Sequence, residues 1–200
     1  MTHPGSQAIY EGGLAEPVLG SQAVFRNMLD AFANPGRMVD IGDMARAPAP
    51  LMPASAAFLA ALADYDTPVF FEEDAGDASG WLAFHTGAPV TDNAGRAAFA
   101  VLAPRSPVEN WPRFAIGTSS YPDRSATLLL PVESLAGGPT LLLAGPGIET
   151  TAAISPAGLP DGFVPAMAQN RARFPLGFDL LLVCGPQAMA LPRTTRITEA

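Results

Sequence analysis

Two hundred residues, a net charge of −8 and 48% hydrophobic content already exclude several classes of protein. A chain of this length fits one domain, or at most a domain with a small appendage, and buries roughly 70% of its unfolded surface, so it needs no disulfide or metal to fold, while its acidic balance suits the phosphate backbone of nucleic acid poorly. No apolar run approaches the ~20 residues of a membrane span, and a single cysteine excludes an internal disulfide.

Met1-Thr-His-Pro-Gly-Ser has no basic stretch leading into an apolar one, so no secretory signal is expected and the chain is read as cytoplasmic. Residues 1–19 read as an irregular N-terminal arm, rich in Gly and Pro, ahead of a single domain over 20–200. Ser21 has the chemistry of an N-cap. Val24, Phe25, Met28, Leu29 and Phe32 follow at helical spacing. Asn34-Pro35-Gly36 stops that helix, and Arg37–Ile41 leaves the turn as a short strand. A loop over 45–53 ends at Pro53, tolerated as a first helical residue, with Phe58, Leu59 and Leu62 forming a face behind it. Asp64 and Asp66 flank Tyr65 as turn chemistry before a strand at 68–71. Glu72, Glu73, Asp74 and Asp77 read as a solvated loop or hairpin. Trp81–His85 alternates, which predicts a strand with Trp81, Ala83 and His85 on one face.

Another strand is expected at Ala97–Leu102. Residues 104–124 hold the breakers Pro104, Pro107, Pro112, Gly117 and Pro122, with a helical turn around Trp111–Phe114. Strands follow at 126–132, 140–143, 178–184 and 189–191. Between the second and third of these, Asp161 caps a helix running to about Arg173, with Phe163, Met167 and Phe174 inward. Near-continuous Leu and Val runs predict strands covered on both faces, hence an α/β fold with three layers, α/β/α, around a mixed sheet. Pro and Gly together make 40 of the 200 residues, below the ~25–30% that marks disorder.

All eleven basic residues are arginine. Without lysine there is no amine for a Schiff base and no P-loop lysine. His3, His85 and Cys184 are too scattered to suggest a metal site, and no cofactor is expected. Gly145-Pro146-Gly147 lacks the spacing of a dinucleotide loop and reads as a tight turn. Gly117-Thr-Ser-Ser120 is not a nucleophile elbow, and Cys184, closing an apolar strand, reads as a buried inert thiol.

What remains is a short set of residues. His85, before Thr86-Gly87, is either a proton exchanger at a cleft or a structural histidine with no partner to tune it. Arg193-Thr-Thr-Arg196 offers two guanidinium forks and two hydroxyls, suited to a phosphate or to a carboxylate on a partner subunit. Arg37, after the Asn-Pro-Gly turn, is similar. Residues 171–200 sum to +2, leaving −10 for the rest. No catalytic residue is assigned beyond His85 as a weak candidate; Arg37, His85, Arg193 and Arg196 are candidates to contact an anion or a partner.

Several segments recur together in one known family. They are Phe25-Arg-Asn-Met-Leu29 with Asn34-Pro-Gly-Arg37, Leu62-Ala-Asp-Tyr-Asp-Thr-Pro-Val69, Phe84-His-Thr-Gly-Ala-Pro89, Ala126-Thr-Leu-Leu-Leu-Pro-Val132, Leu143-Ala-Gly-Pro-Gly-Ile148, Phe174-Pro-Leu-Gly-Phe-Asp-Leu180 and Leu191-Pro-Arg-Thr-Thr-Arg196. In this order, over about residues 20–198, they resemble the PhnH family, a core subunit of the bacterial carbon–phosphorus lyase system. The resemblance implies a homodimer held in a larger complex with PhnG, PhnI and PhnJ subunits. That complex takes part in forming α-D-ribose 1-methylphosphonate 5-triphosphate from ATP and an alkylphosphonate, with C–P cleavage belonging to PhnJ. It also implies a fold similar to pyridoxal-phosphate-dependent transferases but without the cofactor. Two competing readings are a stand-alone transferase or hydrolase using His85 and the C-terminal arginines, and a small-molecule-binding module for phosphorylated ligands.

Overall fold

The computed structural model describes residues 5–200; His3 lies outside them. The N-terminal segment is more ordered than its composition suggests. A short helix α1 (Gly5–Ala8) precedes β1 (Gly13–Leu14), which pairs antiparallel with a later two-residue strand, β3 (Ala45–Arg46). The first long helix, α2 (Pro17–Ala33), begins four residues ahead of the expected cap Ser21. Pro17 stands at its first position, where the fixed φ suits the helix and the missing N–H has no partner to lose. Ser21 Oγ instead donates to the carbonyl of Val18. The helix ends where expected: the Asn34 N–H bonds the Asp30 carbonyl, and Gly36 adopts φ +87° in the turn.

After β2 (Met38–Asp40) comes α3 (Pro53–Leu62), with Pro53 at its start. Its sequence PASAAFLAAL is apolar nearly all round, and every residue from Ala54 to Leu59 is buried. Such a helix must be surrounded. It packs between α2 and a further helix, α4 (Asp77–Thr86), and is covered by the β1–β3 ribbon.

α4 (Asp77–Thr86) corrects the expectation of a strand at Trp81–His85. Ala78, Trp81 and Leu82 are its buried residues, at i, i+3 and i+4. Asp77 lies in its first turn, where negative charge is favoured, and Gly87 closes it in the left-handed conformation. Five alternating residues are too few to separate a period of two from a helix. β4 (Val69–Phe71) precedes α4.

The remaining elements are β5 (Phe99–Val101), a 3-10 segment at Val108–Arg113, β6 (Thr127–Pro131), β7 (Leu141–Ala144), β8 (Ala152–Ile154), α5 (Phe163–Ala172), β9 (Asp179–Cys184), β10 (Gln187–Leu191) and β11 (Arg196–Glu199). The main sheet has the order β2-β10-β9-β6-β5-β4. β9, β6, β5 and β4 are mutually parallel, while β10 runs against both β9 and β2. One face carries α2, α3 and α4 over a core that includes Phe58, Leu59, Trp81 and Leu181. The other carries α5, the 3-10 segment and a second sheet, β11-β7-β8, over Trp111, Phe163, Leu128, Leu180 and Leu191. The outer layer on this side is therefore part helix and part sheet. Leu128, Leu130, Leu180 and Leu182 face it, while Leu129 and Leu181 face the helices, so the Leu runs are covered on both faces.

Phe174, expected inward, is 62% exposed. α5 stops at Ala172 and the chain turns ahead of Pro175, which takes Phe174 off the face that buries Phe163 and Met167. Asn170 ties this turn to the sheet. Its amide accepts from the Phe178 N–H (3.0 Å) and donates to the Phe178 carbonyl (2.8 Å). Among the described residues no helix is long and apolar enough to cross a membrane.

Candidate functional site

Arg193 and Asp179 form the most heavily bonded polar node described. Asp179 opens β9 and Arg193 follows β10, so the hairpin brings them to the same end of the sheet. Asp179 accepts from the Arg193 N–H (2.8 Å), Nε (3.1 Å) and Nη2 (2.5 Å). The same guanidinium donates to the Pro122 carbonyl (2.9 Å), the Pro175 carbonyl (3.4 Å) and Ser125 Oγ. The side chains are only 12% and 21% exposed. Arg193 thus fastens the loop before β6 and the turn before β9 to the end of β10, and its donors are committed to the chain's own oxygens.

Arg196 lies on β11, opposite Ala144 of β7, and is exposed. Between the two arginines, Thr195 is buried with its Oγ1 unpartnered among the described residues. Arg37 is 60% exposed and donates to Asp30 Oδ1 (3.1 Å), which also accepts from Asn34 Nδ2 (3.0 Å). This pair fixes the Asn-Pro-Gly turn.

His85 lies on the opposite face of the sheet from α5. In the last turn of α4 its ring lies tilted against Trp81 (centroids 4.9 Å, 42° between planes) and meets Phe84 edge-on (5.0 Å). Gly13 covers it: a Cβ there would come within 2.5 Å of Nδ1. Nε2 is buried with no partner among the described residues. Tyr10 packs against Phe84 (5.0 Å), and Trp81 Nε1 donates to the Glu11 carbonyl (3.2 Å), completing an aromatic clamp on the N-terminal segment. A half-buried histidine in this aromatic setting contributes through the packing of its ring. We expect His85→Ala to lose about 2 kcal/mol in a chemical melt through the space it leaves, and His85→Phe to recover most of it. A Phe variant less stable than the Ala variant would show that a ring nitrogen matters. His85, Arg37 and Arg193 therefore stand in three separate settings: their partners have no residue in common.

Open α/β sheets bind ligands beyond the carboxyl ends of their parallel strands. At that end stand two ion pairs absent from the sequence reading. Glu72, after β4, accepts from the Ala103 N–H (3.0 Å) and from Arg113 (2.7 Å), whose guanidinium also lies over Phe70 and Phe114. Arg105 donates to Glu133 (2.7 Å) and is the single non-glycine with positive φ (+55°) among the described residues. The Glu133 hydrogen bond, then its charge, with that of Asp161 added, raise the Arg105 guanidinium above its ordinary value. Beside it a cleft of about 270 Å³ is lined by Arg105, Pro107, Glu109 and Asp161. With Arg105 paired, its free charges are carboxylates, which suit a cation and repel phosphate. Partners 28 and 41 residues apart leave no local signal; the sole trace in the sequence is Glu72, at the head of an acidic run whose composition suggests a solvated loop. Among the described residues no three His, Cys, Asp or Glu side chains are grouped to hold a metal ion.

Comparison with known proteins identifies the lineage. Residues 12–198 match the family model described as bacterial phosphonate metabolism protein (PhnH). A protein of Rhizobium meliloti (strain 1021), the α-D-ribose 1-methylphosphonate 5-triphosphate synthase subunit PhnH, is 45% identical over 191 residues, covering 94% of this chain and 96% of the relative. HtxG of Stutzerimonas stutzeri is 33% identical over 177 residues, covering 88% and 85%. The chain belongs to the PhnH family of bacterial phosphonate metabolism proteins.

Proposed function

We propose that this chain is a supporting subunit of the assembly that makes α-D-ribose 1-methylphosphonate 5-triphosphate from ATP and an alkylphosphonate. The observation that carries this reading is the 45% identity, over nearly the whole of both chains, to a relative that is itself named as a subunit of that synthase. The geometry supports it. Arg193 is saturated by Asp179 and neighbouring carbonyls, and His85 is enclosed between Trp81 and Gly13. We further read the chain as a cytoplasmic homodimer partnered by PhnG, PhnI and PhnJ subunits, and its layered sheet as akin to the pyridoxal-phosphate transferase fold with the cofactor lost. Arg196, exposed, and Arg37, exposed and bonded to Asp30 through Nη1 alone, are then the candidate arginines left to meet a partner's carboxylates.

Co-expression with and without those three subunits, followed by native mass measurement, tests the reading. A stable hetero-oligomer containing two copies of this chain is expected, with no phosphonate-dependent consumption of ATP by the chain alone. Turnover by the isolated chain would replace the subunit reading with the stand-alone enzyme.

A further inference from the structure

One face of α2 is apolar and left uncovered by the described residues. Val18 is 69% exposed, Leu19 67%, Phe25 50% and Leu29 55%. Each exposes half or more of its surface, while Val24, Met28 and Ala31 are the residues α2 buries in the fold. Val18, Gln22, Phe25 and Leu29 follow one another at steps of four, three and four. That is the spacing of a coiled-coil seam with one polar layer.

At these exposures the four apolar side chains present on the order of 400 Å² of apolar surface. Interfaces are about 60% apolar, so a patch of this size belongs at the centre of roughly 700 Å² per partner, close to the ~800 Å² of a standard interface. We propose that this face pairs with the same face of a second copy, antiparallel, about a twofold axis between Gln22 and Phe25. The inference rests on the homodimer reading given above.

In that register Val18 faces Leu29 of the partner subunit, and Gln22 faces Phe25 of the partner subunit. Each layer sets a smaller or polar side chain against a larger apolar one, and the twofold repeats it. The two Gln22 amides come together near the axis, where they hydrogen-bond and fix the register, as a lone polar residue does in a coiled-coil seam. No charge is buried. Arg26 falls at the rim, and Asp30 is already held by Arg37 and Asn34.

Sedimentation of the full chain, alone and with Phe25→Glu or Leu29→Glu, tests the face. Each substitution enters the interface twice by symmetry, so self-association should weaken at least 100-fold, while circular dichroism shows the fold retained, since half of each side chain already meets solvent. A second measurement needs no loss of stability: Gln22→Cys in a Cys184→Ser background should give a covalent dimer with a short bis-maleimide. Dimers that survive both glutamates and give no cross-link would overturn the α2 face and leave the homodimer intact. A parent chain that stays monomeric at high concentration would overturn the homodimer as well. Retained dimers that lose PhnG, PhnI or PhnJ would assign the face to a foreign subunit, against this proposal.

Discussion

Arg193→Ala should lower the unfolding free energy by about 3 kcal/mol or more, with no need to invoke any role in chemistry. Removing one member of a largely buried ion pair leaves the other desolvated and uncompensated, which costs 3–5 kcal/mol in comparable sites. Here Asp179 would keep a single contact, the backbone N–H of residue 193, and the Pro122 and Pro175 carbonyls would lose the donor they share. Arg193→Lys should fall between the parent and the alanine variant, since an ammonium replaces the charge but not the planar fork that reaches four acceptor residues at once. Joining Asp179→Ala to Arg193→Ala should cost less than the sum of the two, because the second change removes the charge orphaned by the first. Urea titrations of the parent and the four variants check this. An Arg193→Ala protein within 0.5 kcal/mol of the parent that fails to assemble with its partners would make the residue a contact, as the sequence alone suggested.

That suggestion shows where the sequence is legible and where it is not. The strands at 126–132 and 178–184 are readable because a central parallel strand needs apolar residues on both faces, and Leu128–Leu130 and Leu180–Val183 supply them. The end of α2 is readable because Asn34-Pro35-Gly36 acts through local backbone restrictions. α4 is not: Trp81 and Leu82 point to the core, but Phe84 and His85 are aromatic for another reason, the clamp on Tyr10 and Gly13 some 70 residues earlier. Long-range contact decides the site in the same way. The motif Arg193-Thr-Thr-Arg196 has the inventory of an anion site, but Asp179, 14 residues away, occupies the first fork. β1, β3, β8 and β11 are two to four residues long and draw their order from pairing rather than from any pattern of their own.

Gly147→Ala should be the most damaging glycine substitution, by contact rather than by backbone preference alone. The Gly145-Pro146-Gly147 turn after β7 seats the small sheet against the end of α2. Gly147 has φ +82°, and a Cβ would fall 2.0 Å from the Ala33 carbonyl oxygen and 2.9 Å from Pro35 Cδ. Neither atom can swing aside as a flexible side chain would: one belongs to the last turn of α2, the other to the proline that ends it. Gly137 is the control, since its φ is nearly the same (+88°) and a Cβ there meets nothing within 4 Å. Gly137→Ala should cost about 1 kcal/mol, the penalty of the left-handed conformation. Gly147→Ala should cost about 3 kcal/mol, lowering Tm by roughly 6–12 °C for a chain of this length. The difference between the variants isolates the contact between turn and helix. Because that contact sets the lie of α2, Gly147→Ala should also weaken self-association at temperatures where the chain is still folded, and Gly137→Ala should not. Equal melts for the two would mean that the turn rides on the helix without holding it, and that α2 takes its position from α3 and the sheet alone.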